Sequence, residues 1–239
     1  MRGAASAAYT EASQAAAAAR VLSPAERKLV STVQNELQRI TGHTHVLIGG
    51  KAVGMTLAVA GLESLARPTQ DIDLMPIGSS DVDGVLTSQA IQRLYPAAQR
   101  LTAGHGCCIL NVPSPHSAVK LSVQWARELF SDEEVHTVDG VRTLSATHLL
   151  VCKLSALVER SEAKDITDIA LLLRSGADFG LAMSDMTQRS QSTAIDVLQV
   201  ICSDLHTVVG DRGALPDGTS WDALVVEVRR QIPRGREHG

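Results

Sequence analysis

Aromatic side chains are scarce: Phe, Tyr and Trp make up 3% of the 239 residues, which removes the usual stacking platform for single-stranded nucleic acid. A positive field is lacking too. The net charge of -4 excludes a chain that coats nucleic acid through its overall charge and leaves room only for a local basic patch. The four cysteines are an adjacent pair, Cys107 and Cys108, with Cys152 and Cys202 apart from them. Adjacent cysteines are poor disulfide partners and no Cys-x-x-Cys knuckle exists, so a reduced, cytoplasmic chain is expected. Nor does a long apolar run occur. The alanine-rich start is broken by Arg2, Glu11, Gln14 and Arg20, unlike a secretory signal, and nothing is long enough to span a bilayer.

What is present is 44% hydrophobic and 20% charged residues, the balance of a soluble globular protein with an aliphatic core. Residues 1–22 form a flexible leader. Folded structure begins at Ser23, where Ser-Pro-Ala-Glu supplies an N-cap hydroxyl, a proline at the first helical position and Glu26 to close a capping box. Val30, Val33, Leu37 and Ile40 follow at helical spacing, and Gly42 ends the segment.

Val46, Leu47 and Ile48 form a short buried-strand run that stops at Gly49 and Gly50, before a second helical pattern from Ala52 to about Leu65. Two glycines let the backbone approach a ligand, and the helix start behind them aims free amides at it, an arrangement suited to a triphosphate. Taken alone, an ordinary strand-to-helix turn reads the same. The next strand, from Arg67 to Leu74, sharpens the reading: Asp71 and Asp73 alternate and so share a face. Two carboxylates so close repel unless a cation sits between them, and such oxygen ligands suit Mg2+ or Mn2+ carrying substrate phosphates. Asp81 and Asp83 repeat the spacing without a glycine turn or an apolar strand and read as a helix-start loop.

Gly-Gly-x-Ala, a helix, then Arg-x-Thr-x-Asp-Ile-Asp-Leu resembles the abortive-infection, AbiEii-like branch of the nucleotidyltransferases of the DNA polymerase β superfamily. Gly49, Gly50, Ala52, Arg67, Thr69, Asp71 and Asp73 all match. A second match covers residues 146–174, where Leu149, Leu150, Lys153, Leu154, Leu157 and Arg160 precede Lys164, Asp165, Asp168, Ile169, Leu172 and Leu173. The resemblance implies that Lys153 faces nucleotide phosphates with Asp165 or Asp168 beside it, and that Arg67 and Thr69 join the nucleotide site. On residues alone, Lys153 reads equally as a lysine snorkelling from a buried helix, and the two aspartates as complements to a helix dipole.

One element of the pattern is missing. The superfamily carries a third acidic residue on a neighbouring strand, which helps bind metal and activates the attacking hydroxyl. Ile109 to Val112, a loop at 113–117, and Val119 to Trp125 read as a hairpin whose return strand should bear it. There Leu121, Val123 and Trp125 face the core, leaving Lys120, Ser122 and Gln124 on the other face, so Ser122 replaces the acid. Glu128, Asp132 and Glu133 lie beyond the strand and substitute only if the following loop folds back. Lys120 reads as a solvated lysine in preference to a phosphate partner. The histidines, including His43, His45 and His105, show no four-ligand zinc spacing.

Beyond Gly176, Ala194, Val197, Leu198, Ile201 and Leu205 recur at core spacing, and a last helix runs near Trp221 to Gln231. The fold class expected is α+β. A small mixed β-sheet core with helices (23–145) precedes an α-helical half that closes a nucleotide cleft (146–232) and a mobile tail (233–239). The resemblance implies magnesium-dependent transfer of a nucleotidyl group from a nucleoside triphosphate, ATP among the candidates, to an RNA end, a protein or a small molecule, with an antitoxin as a partner typical of this branch. A lapsed enzyme that still binds nucleotide is the competing expectation.

Overall fold

A computed structural model describes residues 21–78, 82–114, 118–124, 130–186, 188–203, 208–210, 212–213 and 215–232. The chain divides into two compact units, Met1–Ser145 and Ala146–Gly239. Residues 1–20 of the expected leader, the tail at 233–239, and Trp125, Glu128, Asp81 and Leu205 lie outside the described residues; Leu22, expected at the end of the leader, is instead 0% exposed and belongs to the core.

The first unit is built on a seven-stranded mixed sheet. Its strands are β1 (His45–Ile48), β2 (Ile72–Pro76), β3 (Gln99–Gly104), β4 (Cys107–Pro113), β5 (Ala118–Gln124), β6 (Val135–Val138) and β7 (Val141–Leu144), in the spatial order β3-β4-β5-β2-β1-β7-β6. β2–β5 and β1–β7 are parallel and the remaining pairs antiparallel. Leu47, Ile72, Leu74, Leu110, Leu121 and Val123 are fully buried along the central strands. Each such side chain contributes roughly 1.5–3 kcal/mol to holding the sheet in place.

Helix α1 (Pro24–Thr41) starts as its sequence dictates. The Ser23 hydroxyl accepts from Glu26 N at 3.2 Å, and Glu26 Oε2 accepts from Ser23 N at 2.8 Å. Gly42 closes the helix in the left-handed region at φ 76°. Leu29, Val30, Val33 and Leu37 are buried, but Ile40 is only half-buried, and the polar Gln34 takes a place in the core. Gln34 behaves as an extra strand residue: its amide donates to Arg142 O at 2.7 Å and accepts from Arg142 N at 3.1 Å.

Helix α2 spans Gly49–Val59, so the two glycines are its first turn and not a separate loop before Ala52. It also ends earlier than expected, at Val59, and Glu63–Leu65 is a separate 3-10 turn. Gly61, at φ 75°, sits where a right-handed helix cannot continue. β2 is likewise shorter than the sequence pattern. Arg67 to Asp71 run outside the ladder, which starts at Ile72. Helix α3 (Gly84–Leu94) is capped by Asp83, whose carboxylate accepts from Val85 N and Leu86 N at 3.0 Å each.

The second unit consists of helices α4 (Ala146–Arg160), α5 (Ala163–Arg174), α6 (Phe179–Asp185), α7 (Gln188–Ser203) and α8 (Trp221–Gln231). Ala194, Leu198 and Ile201 of α7 are buried while Val197 is half-buried. Trp221 fills the interior, its indole N–H donating to Ala163 O at 3.4 Å. Arg174 grips Glu227 through two bonds of 2.8 and 2.6 Å, tying α5 to α8.

Candidate active site

The middle of the sheet brings the first motif together. β1 and β2 are antiparallel with Ile48 opposite Asp73, so the chain leaves β1 into the Gly49–Gly50 turn just where the aspartate stands. Gly49 adopts φ 71°, and a Cβ there would overlap Asp73 Oδ2. At Gly50 a Cβ would stand 3.0 Å from both Arg67 Nη2 and Thr69 Cγ2, against a side-chain wall. Gly49 is therefore required by both backbone and contact, whereas a Cβ at Gly50 needs Arg67 and Thr69 to give slightly. They let the start of α2 close on Asp73, Arg67 and Thr69, residues that lie far apart in sequence. The N-cap residue, Ile48, provides no side-chain cap, and the first turn of α2 contains no acidic residue. Its amide end is thus electrostatically suited to an anion.

On the other side of β2, β5 runs parallel, with Ile72 beside Leu121, Asp73 beside Ser122 and Leu74 beside Val123. Ser122 occupies the position where a third carboxylate was sought. It is buried, at 6% exposure, whereas Lys120 and Gln124 are exposed. Asp71 lies one residue before the β2 ladder, yet its Oδ2 stands 3.5 Å from Lys120 Nζ. Lys120 is therefore an ion-pair partner within the site and not simply solvated. Asp132 and Glu133 are exposed in a short 3-10 turn.

In the second unit, α4 and α5 assemble the other motif. Lys153 Nζ lies 2.6 Å from Asp168 Oδ2 and 3.5 Å from Asp165 Oδ1. Arg160 clasps Asp165 through two bonds of 2.8 Å. Both aspartates are 0% exposed and Lys153 5%. Lys153 thus ends on carboxylates instead of snorkelling to water, and the aspartates are too deep to act as solvated helix-dipole complements. Buried Lys153 and the half-exposed Arg160, its side chain 43% exposed, offset the two buried carboxylates, which is the condition for burying them at all.

With this geometry in hand, similar solved structures can be considered. The chain is similar to JHP933 from Helicobacter pylori, with TM-score 0.53 and 16% identity over 86% of this chain and 88% of that one. It is also similar to the Megavirus polyadenylate synthase, with TM-score 0.42 and 14% identity over 68% of this chain and 34% of that one. A third neighbour is MenT4, a nucleotidyltransferase toxin from Mycobacterium tuberculosis, with TM-score 0.44 and 14% identity over 92% and 88%. At these identities the likeness is one of fold. No protein-family model matches the chain, and no curated protein does.

The Asp71–Asp73 pair of the sequence raises the question of a divalent cation. Among the described residues no group of three or more His, Cys, Asp and Glu side chains gathers as a metal site. The donor set still fits a magnesium ion that arrives with its nucleotide. Such an ion commonly takes one or two carboxylates from the protein and the rest from phosphates and water. Asp71 and Asp73 are the two carboxylates the proposal below assigns to it, and Gly49 closes on the second of them.

Sequence reasoning passed over Lys51, the third residue of the glycine motif. Its ammonium is 2.9 Å from Glu26 Oε1 and donates to Val21 O at 3.3 Å. Burial pushes the Glu26 carboxyl upward, but its bonds to Lys51 and Ser23 outweigh this and hold it below the usual range. Glu26 thus closes the α1 capping box and pins the first turn of α2 at once. The available signal was a lysine on an otherwise apolar helix face, which needs a partner.

Proposed function

We propose that this chain is a nucleotidyltransferase that takes a nucleoside triphosphate with Mg2+ or Mn2+ at Asp71 and Asp73. The Gly49–Gly50 turn and the α2 amides hold the phosphates, with Arg67 and Thr69 alongside. The observation that carries this reading is the contact of Gly49 with Asp73. That contact sets a carboxylate directly against the open amide end of α2, where a cation and the phosphates it carries would be held together. When bound, the cation offsets phosphate charge and polarises the phosphorus centre. In the transfer, an acceptor oxygen or nitrogen bonds to the α-phosphorus as the bond to pyrophosphate breaks. The acceptor classes are an RNA end, a protein side chain and a small molecule. The sequence resemblance extends the reading to a toxin held by an antitoxin.

Within the second unit, the phosphate-facing role that the resemblance implies for Lys153 stays a proposal: its ammonium is held by Asp168 at 2.6 Å, so an anion would have to share it with or displace that carboxylate.

Isothermal titration of each nucleoside triphosphate, with and without magnesium, tests the reading. Magnesium-dependent binding that disappears in the Asp71→Ala/Asp73→Ala variant supports it, and no binding of any nucleotide to the wild type overturns it. The buried serine beside Asp73 favours a second reading, a lapsed enzyme that retains nucleotide binding. A hydroxyl is a poor base near neutral pH. Binding without turnover on any acceptor would select that reading.

A further inference from the structure

Lys120 is the one charged residue of β5, and its ammonium stands 3.5 Å from Asp71 Oδ2, each side chain 46% exposed. Two positions along, Ser122 is beside Asp73. The strand that would otherwise add a third negative charge to the acidic pair instead contributes a positive one. We propose that Lys120 is a resident counter-ion for Asp71 that makes divalent-cation binding depend on the arrival of the triphosphate. The inference rests on the nucleotide-binding reading above and assigns a positioning role to a residue outside the matched motif.

A cation binding alone must take Asp71 from the ammonium, leaving Lys120 without its partner. A triphosphate removes that cost, because its oxygens accept the ammonium as it leaves Asp71. Each ligand then strengthens the other by the same factor, as linkage requires. The pair is half-exposed, so its effect is modest: exposed ion pairs correspond to roughly two- to five-fold in affinity.

The test is titration of Mn2+ alone into wild type, Lys120→Met, Lys120→Arg, Asp71→Asn and Lys120→Met/Asp71→Asn, repeated with a non-hydrolysable triphosphate. Lys120→Met should bind Mn2+ alone about two- to five-fold tighter than wild type, and its enhancement by nucleotide should shrink by a similar factor. Lys120→Arg should stay near wild type, and in the Asp71→Asn background, read against Asp71→Asn alone, Lys120→Met should give no gain. Because position 120 is exposed, unchanged thermal unfolding of the variants checks that each is folded. Equal Mn2+ affinity in Lys120→Met and wild type, or a gain that survives Asp71→Asn, overturns the proposal and leaves the nucleotide site intact. Absence of Mn2+ binding in every protein, with and without triphosphate, overturns both.

Discussion

Ser122 stands beside Asp73 in the register of two parallel strands, with its hydroxyl buried where a third carboxylate would complete an acidic triad. Ser122→Asp therefore tests whether chemistry has lapsed. In a lapsed enzyme the new carboxylate should raise turnover by about 10²–10⁴-fold, the usual contribution of a general base. A fall in turnover would show that the serine belongs to a working mechanism. Pyrophosphate release is the assay. Like-charge repulsion with Asp73 should also lower the melting temperature of this variant in chelator and let magnesium restore it.

Gly49→Ala should destabilise the protein by about 1–3 kcal/mol, since the residue is held at positive φ and its Cβ overlaps Asp73. Nucleotide binding should be lost with it. Asp73→Ala in the same chain relieves the overlap but not the backbone strain, so a double-mutant cycle by denaturant unfolding should show recovery of only part of the loss.

Asp168→Asn and Lys153→Met each break the buried 2.6 Å pair, and up to about 3–5 kcal/mol of stability should go with either. Replacing both by apolar residues of similar volume should cost much less. Urea unfolding distinguishes this from a purely ligand-facing Lys153, whose loss would leave stability nearly unchanged.

His45, on β1, is 2% exposed, and burial lowers its pKa to about 4. The unfolded state, with a His pKa near 6.5, binds more protons between pH 4 and 6.5. Stability is therefore complete above that window and falls as pH drops through it, by roughly 1.4 kcal/mol per unit. His45→Leu should flatten this segment of the pH–stability profile measured by chemical denaturation.

The α1 capping box, the Gly49–Gly50 turn, the β4–β5 hairpin and the α4–α5 pair were legible in the sequence. Each rests on local stereochemistry or on periodic burial. The edge strand β3 was not, because its residues are almost all exposed and show no alternation of apolar with polar. The β6–β7 hairpin was missed although Asp139 and Gly140, at φ 50° and 76°, are a strong turn signal between apolar residues. Asp139 also pairs with Arg27. The Glu26–Lys51 and Gln34–Arg142 contacts join residues 25 and 108 positions apart, distances over which residue spacing has no information. The same limit hid the Asp71–Lys120 pair.

The contact between Gly49 and Asp73 also constrains how such a chain can change over generations. A lineage that keeps the carboxylate cannot place a side chain at position 49, whereas one that has lost the carboxylate is freed from the overlap and retains only the mild preference of positive φ for Gly, Asn or Asp. Loss of the aspartate should therefore come first, with drift of the glycine trailing behind it. Among descendants of this fold, a glycine at this position beside a missing acid would mark a recent loss, and a substituted glycine an old one.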